Sequence, residues 1–152
     1  MIFLISDKVT KSSVLIVIIG GFKMTIQERA EKAVEYKRSG NYNCCQALTK
    51  AFSDTVQISE DVLQSIAAGF AVGMGTMEAT CGALIGANII AGLQTEGKGT
   101  IKISKAIMEK FKETCGAVTC KELKSVKDGV QFCSCDTCVK NASIALGEAL
   151  HL

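Results

Sequence analysis

Eight cysteines stand in a chain of 152 residues that has no proline, and they are unevenly placed. Cys44 and Cys45 are adjacent, and Cys81 opens Cys81-Gly82-Ala83-Leu84-Ile85-Gly86. Cys115 and Cys120 flank a glycine turn, and Cys133, Cys135 and Cys138 share one short segment. Most of these positions fall beside an expected helix end. A helix start carries roughly half a positive charge and free N–H donors, so a thiol there ionises more readily. A fold that gathers several such starts gathers thiolates, the form that binds metals and attacks disulfides. The pattern points to metal or redox chemistry more than to core filling.

The chain is long enough to bury a core as one domain without disulfides. Hydrophobic residues make up 48% of it, but Trp is absent and aromatics reach only 5%, so the core must come from Ala, Ile, Leu, Val and Met. Such a core suits close helix packing. The formal net charge is +2, with Lys and Glu interleaved. No basic stripe carries stacking aromatics, which argues against nucleic-acid binding. Disulfide frameworks belong mainly to small, loop-rich secreted domains. A helical chain without a convincing export signal fits a reducing cytoplasm better.

Residues 1–23 read separately from the rest. Val14-Leu15-Ile16-Val17-Ile18-Ile19 is apolar and β-branched, with Lys8 and Lys11 before it. The run falls short of the ~20 apolar residues that cross a bilayer, so no clear membrane span is expected. It has the charged start and apolar centre of a signal peptide but no Ala-x-Ala-like cleavage site. We read 1–23 as an N-terminal extension, either not native to the protein or a docked arm. The folded unit is then a cysteine-rich helical redox domain over 24–152.

Within that unit, Thr25-Ile26-Gln27-Glu28 matches a capping box, and Ser39-Gly40 supplies a stop. Asn43 caps a second helix running to Phe52, and Ser59 a third whose apolar face is Val62, Leu63, Ile66, Ala67 and Phe70. The next helix is expected over 76–93. Small residues dominate it: Ala79, Ala83, Ala87 and Ala91 repeat every four positions beside Gly82 and Gly86. Glycine costs a helix about 1 kcal/mol relative to alanine, so something should approach this backbone closely. Plain helix packing and a homodimer interface would both explain it. Helices over 100–114, with Ile103, Ile107, Met108 and Phe111 inward, and over 136–150 complete the bundle. A short turn and a lysine-bearing loop join them. The expected fold is all-α, a single-domain bundle of about five main helices.

Several chemistries are excluded. Cys135-Asp136-Thr137-Cys138 is followed by Val139, not the His of a c-type haem site, and the lone His151 sits next to the C-terminus. His-based metal sites, Cys–His catalysis and serine triads are therefore not first choices. Gly73-Met74-Gly75 lacks the lysine of a phosphate-binding loop. Any one cysteine can also act as a small buried hydrophobe, and that is our reading for Cys45. For all eight together it does not hold.

Cys81-Gly82-Ala83-x-x-Gly86 matches the CGAxxG signature of a known group. Asn43-Cys44 followed by Gln46-Ala47, the Gly73-Met74-Gly75 run and Cys120-Lys121-Glu122-Leu123 match its other marks, in order. Over about residues 24–150 the chain resembles the C_GCAxxG_C_C family of redox-active proteins. That family is similar to the non-haem iron portion of split-Soret cytochromes. The resemblance implies an iron–sulfur cluster as cofactor, held by four cysteines: Cys44, Cys81, Cys120 and one of Cys135 or Cys138, with Cys135 preferred. Gly82 would lend its backbone to the same site. Lys121 departs from the arginine common in the family, and Cys45, Cys115 and Cys133 are additional to its pattern.

The function expected is electron transfer or redox sensing with a redox partner protein. Two other chemistries stay open. One is a metal-free thiol–disulfide oxidoreductase with Cys81 as nucleophile. The other is structural zinc on Cys133, Cys135 and Cys138 with one distant thiolate.

Overall fold

Side chains that complete helix ends set where the elements begin. In the computed structural model, which describes residues 23–152, helix α1 (Ile26–Arg38) starts at Thr25. The Thr25 hydroxyl accepts from the Glu28 N–H, and the Glu28 carboxylate accepts from the Thr25 N–H at 2.7 Å. Helix α2 (Cys44–Ala51) uses Asn43 and Gln46 in the same reciprocal way. Ser59 caps α3 (Glu60–Ala67). Then follow α4 (Gly82–Gln94), α5 (Thr100–Cys115), the one-turn α6 (Cys120–Leu123) and α7 (Cys135–Leu150). Two short antiparallel strands, β1 (Val126–Lys127) and β2 (Val130–Gln131), lie between α6 and α7. The expected extension over 1–23 lies, but for its last residue, outside the described residues.

The fold is mostly helical, as the periodicity implied. Helix α7 packs on α1, α4 and α5, while α2 fills the space between α1 and α4. Phe52, Phe111, Leu48, Leu84, Ile90, Ile107, Val139 and Leu146 are fully buried between them. Beside Phe52, the buried Arg29 guanidinium forms a two-toothed ion pair with Asp54 (2.6 and 2.9 Å) and donates to the Ala51 carbonyl.

The small-residue row of α4 faces inward. Gly82, Ala83, Gly86, Ala87 and Ala91 are buried. A Cβ on Gly82 would overlap the Phe70 carbonyl oxygen, and one on Gly86 would sit 3.0 Å from the Cys45 carbonyl oxygen. Backbone contact within the chain therefore accounts for the two glycines Gly82 and Gly86.

Four details differ from the sequence expectation. Helix α4 begins at Gly82, six residues later than expected, because Val72, Gly73, Met74, Gly75 and Met77 all take left-handed backbone that no α-helix accommodates. Val62 and Ile66 are 48% and 45% exposed, since the two-turn α3 lies on α2 along a narrow stripe that buries only Leu63 and Ala67. Met108 is likewise solvent-facing, one position off the buried Ile107–Phe111 line. The lysine-bearing loop is a hairpin, turned by Asp128 (φ 53°) and Gly129 (φ 77°) as a two-residue turn with both φ positive requires.

Replacing Gly82 with Ala forces the Phe70 segment and α4 apart. We expect Gly82→Ala to lose roughly 1–3 kcal/mol of stability, read from urea midpoints at constant slope. An unchanged midpoint would show that the contact yields freely.

Candidate metal centre

A two-residue backbone clasp brings distant cysteines together. Thr80 and Thr119 form an isolated antiparallel bridge. Around it the Cys81 N–H donates to the Val118 carbonyl (2.8 Å) and the Cys120 N–H to the Ala79 carbonyl (3.1 Å). The starts of α4 and α6 are thus held side by side. The Cys133 N–H donates to the Leu123 carbonyl at 2.9 Å, which ties the segment before α7 to the end of α6. Asn43, while capping α2, also donates its side-chain amide to the Ala68 carbonyl at 3.1 Å. The close approach of Gly82 to Phe70 then brings α2 and α4 to the same place.

Six thiols line the resulting cavity: Cys44, Cys81, Cys120, Cys133, Cys135 and Cys138, with Val72, Gly82, Leu123 and Lys124 completing the wall. Four of these cysteines share one local position. Cys44, Cys120 and Cys135 are the first residues of α2, α6 and α7, behind the caps Asn43, Thr119 and Ser134. Cys81 is itself the N-cap of α4. Gly73 has room for no side chain, since a Cβ there would lie 2.8 Å from the Cys120 Cβ. Val72, beside it, is a β-branched residue at φ 52°, a strained conformation held directly against the cavity.

Cys115 lies just behind this wall. Its Sγ and those of Cys133 and Cys138 are all within 4.8 Å of one another, and all three residues are buried. Cys133 and Cys138 sulfurs are 3.5 Å apart, and the Asn141 amide donates to Cys115 Sγ at 3.4 Å. The eighth thiol, Cys45, points away into the core against Gly86 and is fully buried.

The electrostatics split the thiols into members held below and members held above the ordinary thiol value. The Cys44 thiol beside Cys135 pulls it down to about 6 against the cost of burial, helped by the charges of Lys124 and Lys37. Cys44 is correspondingly pushed up, first by Cys135 and then by burial. Cys138 likewise rises, through Cys115 and Cys81, while it brings Cys115 down to about 6. Cys81 is lowered by Cys138 first, with burial opposing and the Ala83 and Leu84 N–H groups of the α4 start assisting. Burial raises Cys133 to about 11, Cys45 to about 12, and Cys120 as well. Burial also works against the Lys124 charge, but Cys135, Cys120 and Cys44 outweigh it and hold the ammonium above its usual range.

A model of the family described as "Putative redox-active protein (C_GCAxxG_C_C)" matches residues 42–149. The chain belongs to this family. No curated protein and no solved structure matches it. The family match spans every thiol of the cavity, from α2 to α7.

The donor set suits a polynuclear iron–sulfur group. Such clusters are held chiefly by four thiolates, and six thiols but no carboxylate or imidazole line this cavity. A single ion at about 2.3 Å from each sulfur would hold its ligands within about 4.6 Å of one another. Among the described residues, Cys44, Cys81, Cys120 and Cys135 do not form so tight a group, whereas Cys115, Cys133 and Cys138 do.

Every cysteine singled out as a site residue from the sequence lines the cavity, and so does Gly82. Sequence reasoning did not foresee Lys124 at its wall or the joining of Cys115 to Cys133 and Cys138. Lys124 carried no pattern of its own. Cys115 could have been flagged by its place on the last turn of a helix, next to the Gly116 stop.

In metal-free reduced protein, the half-buried Cys135 should be the first thiol alkylated by iodoacetamide. Its rate should fall as pH drops through about 6, where the thiolate takes up its proton. Lys124→Met should move that midpoint upward, since it removes a charge that favours the thiolate. A midpoint near 9.0, the ordinary thiol value, would contradict the electrostatic account.

Proposed function

We propose that the protein is an iron–sulfur protein for electron transfer or redox sensing, its cluster held by Cys44, Cys81, Cys120 and Cys135. One observation carries the reading: these four thiols occupy the start of four different helices around a single cavity. The cluster, when bound, supplies one-electron redox chemistry, which thiols alone do not provide.

The chain's own residues do the rest. Helix starts present N–H donors to the sulfurs, chiefly from α2, α4 and α7, since the single turn of α6 adds little dipole. Lys124 offsets part of the negative charge that four thiolates bring. Donors and charge close to the sulfurs are the levers that tune a cluster's potential. Val72 and Leu123 narrow the cavity and keep bulk water from the sulfurs. Lys37 and Lys124, next to Cys44 and Cys135, mark the side where this wall meets the surface. A negatively charged face on a redox partner protein would fit there. Reduced thiols of this kind suit the cytoplasm.

Metal-free thiol–disulfide exchange with Cys81 as the attacking group is less well supported. That residue is 5% exposed, and a disulfide substrate must reach the sulfur in line. An electron need only cross the thin wall over it.

Anaerobically purified protein from iron-replete cells should be brown and contain iron and acid-labile sulfide in equal amounts. Cys44→Ser, Cys81→Ser, Cys120→Ser and Cys135→Ser should each bleach the visible absorbance or strip most of the iron, whereas Cys45→Ser should leave both unchanged. A colourless, iron-free protein would overturn the reading.

A further inference from the structure

The cavity and the Cys115 group differ in scale, and the difference has chemical meaning. Three thiolates on one ion at a metal–sulfur distance of about 2.3 Å sit about 3.8–4.0 Å from one another. The sulfurs of Cys115, Cys133 and Cys138 are all within 4.8 Å, with one pair at 3.5 Å, so small side-chain adjustments meet that requirement. They come from three separate pieces of structure: the last residue of α5, the segment after the hairpin, and the first turn of α7. Each is anchored by backbone. The Gly116 N–H donates to the Lys112 carbonyl, Cys133 N–H to that of Leu123, and Cys138 N–H to that of Ser134.

We infer that Cys115, Cys133 and Cys138 form a second metal site, which binds one thiophilic ion of the Zn2+ class at the edge of the six-thiol cavity, beside the four cysteines of the first site. Three features favour an ion over its competitors. A disulfide needs two sulfurs, and the third would have no part in it. The amide of Asn141 is aimed at Cys115 Sγ, the outer contact that metal thiolates characteristically carry. Cys133 and Cys138 line the cavity with Cys44, Cys81, Cys120 and Cys135, whereas Cys115 does not, so the group reaches beyond that site. The three thiols lose their protons as the ion binds, and no electron moves. Zinc takes a fourth ligand besides these three, from solvent or a neighbouring thiol. Its effect would be to fasten the hairpin between α5 and α7, over one flank of the first site. This inference does not depend on the iron–sulfur reading.

The test is metal analysis of the full chain, expressed with both iron and zinc in the medium and purified without oxygen. About one zinc ion per chain is expected in the unaltered protein, as one mononuclear site requires. Cys115→Ser, which lies outside the cavity lining, should lower zinc about tenfold while iron and sulfide stay as they were. Asn141→Ala keeps all three thiols, so zinc should remain bound but be taken by a chelator at about 10–100-fold lower concentration. Cobalt added to the metal-depleted unaltered chain gives a readout that needs no variant: the sulfur-to-cobalt absorbance expected for three thiolates should appear. Zinc-free protein, loss of iron and sulfide together with zinc in Cys115→Ser, or a Cys133–Cys138 disulfide in place of the ion would each overturn the inference. Zinc bound at these residues without iron would uphold it and reject the cluster; iron without zinc would do the reverse.

Discussion

The Thr80–Thr119 bridge is the contact on which the rest of the site depends. Two helix starts separated by almost forty residues of chain are locked side by side by main-chain hydrogen bonds, which do not rely on any side chain. Metal centres need that kind of support, because thiolates brought close together repel one another. Left to side-chain packing alone, such a group would spread. Here the repulsion is opposed by backbone, then by glycines that let the other segments press in. Gly82 against Phe70 and Gly73 against Cys120 have no room for a methyl group. The cost of glycine in or near a helix is accepted where two backbones must touch.

The same arrangement answers the electrostatic question. Burial alone pushes a thiol toward its neutral form, as it does for Cys45 and Cys133. Cys81, Cys115 and Cys135 go the other way, because neighbouring thiols and either helix N–H groups, Asn141 or lysine charges favour the anion. Within the cavity Cys81 and Cys135 are held below the ordinary thiol value and Cys44, Cys120, Cys133 and Cys138 above it. A cation arriving there meets some ligands already deprotonated and displaces protons from the others. The redox character of the family and this donor set are consistent with each other.

Much of the frame was legible in the chain. Thr25 with Glu28 and Asn43 with Gln46 are reciprocal caps that depend on residues three apart, so local sequence is enough to place α1 and α2. The Asp128-Gly129 turn was equally local, and its hairpin was missed because the segment carrying Lys124 and Lys127 read as a plain loop. The late start of α4 was harder. Thr76 and Thr80 both look like caps, but the chain from Val72 to Met77 is bent into left-handed conformations by contacts with α6, including the Lys121 N–H donated to the Met77 carbonyl. On α3, the periodic pattern gave the right helix and too wide an apolar face, because periodicity says how residues align and not how much of the face a neighbour covers.

What the sequence by itself determined was most of the helices, the caps at Thr25, Asn43 and Ser59 and the placing of cysteines near helix starts, since each of these follows from residues within a turn of one another. Which thiols meet was decided only in three dimensions. Cys44, Cys81, Cys120, Cys133, Cys135 and Cys138 come to one cavity, Cys115 meets two of them from behind it, Cys45 turns to the core, and Lys124 arrives from a loop that gave no sign of it. Those outcomes rest on contacts between segments far apart in the chain, a strand-like bridge and backbone pressed against glycine. No local pattern encodes the partner in such a contact.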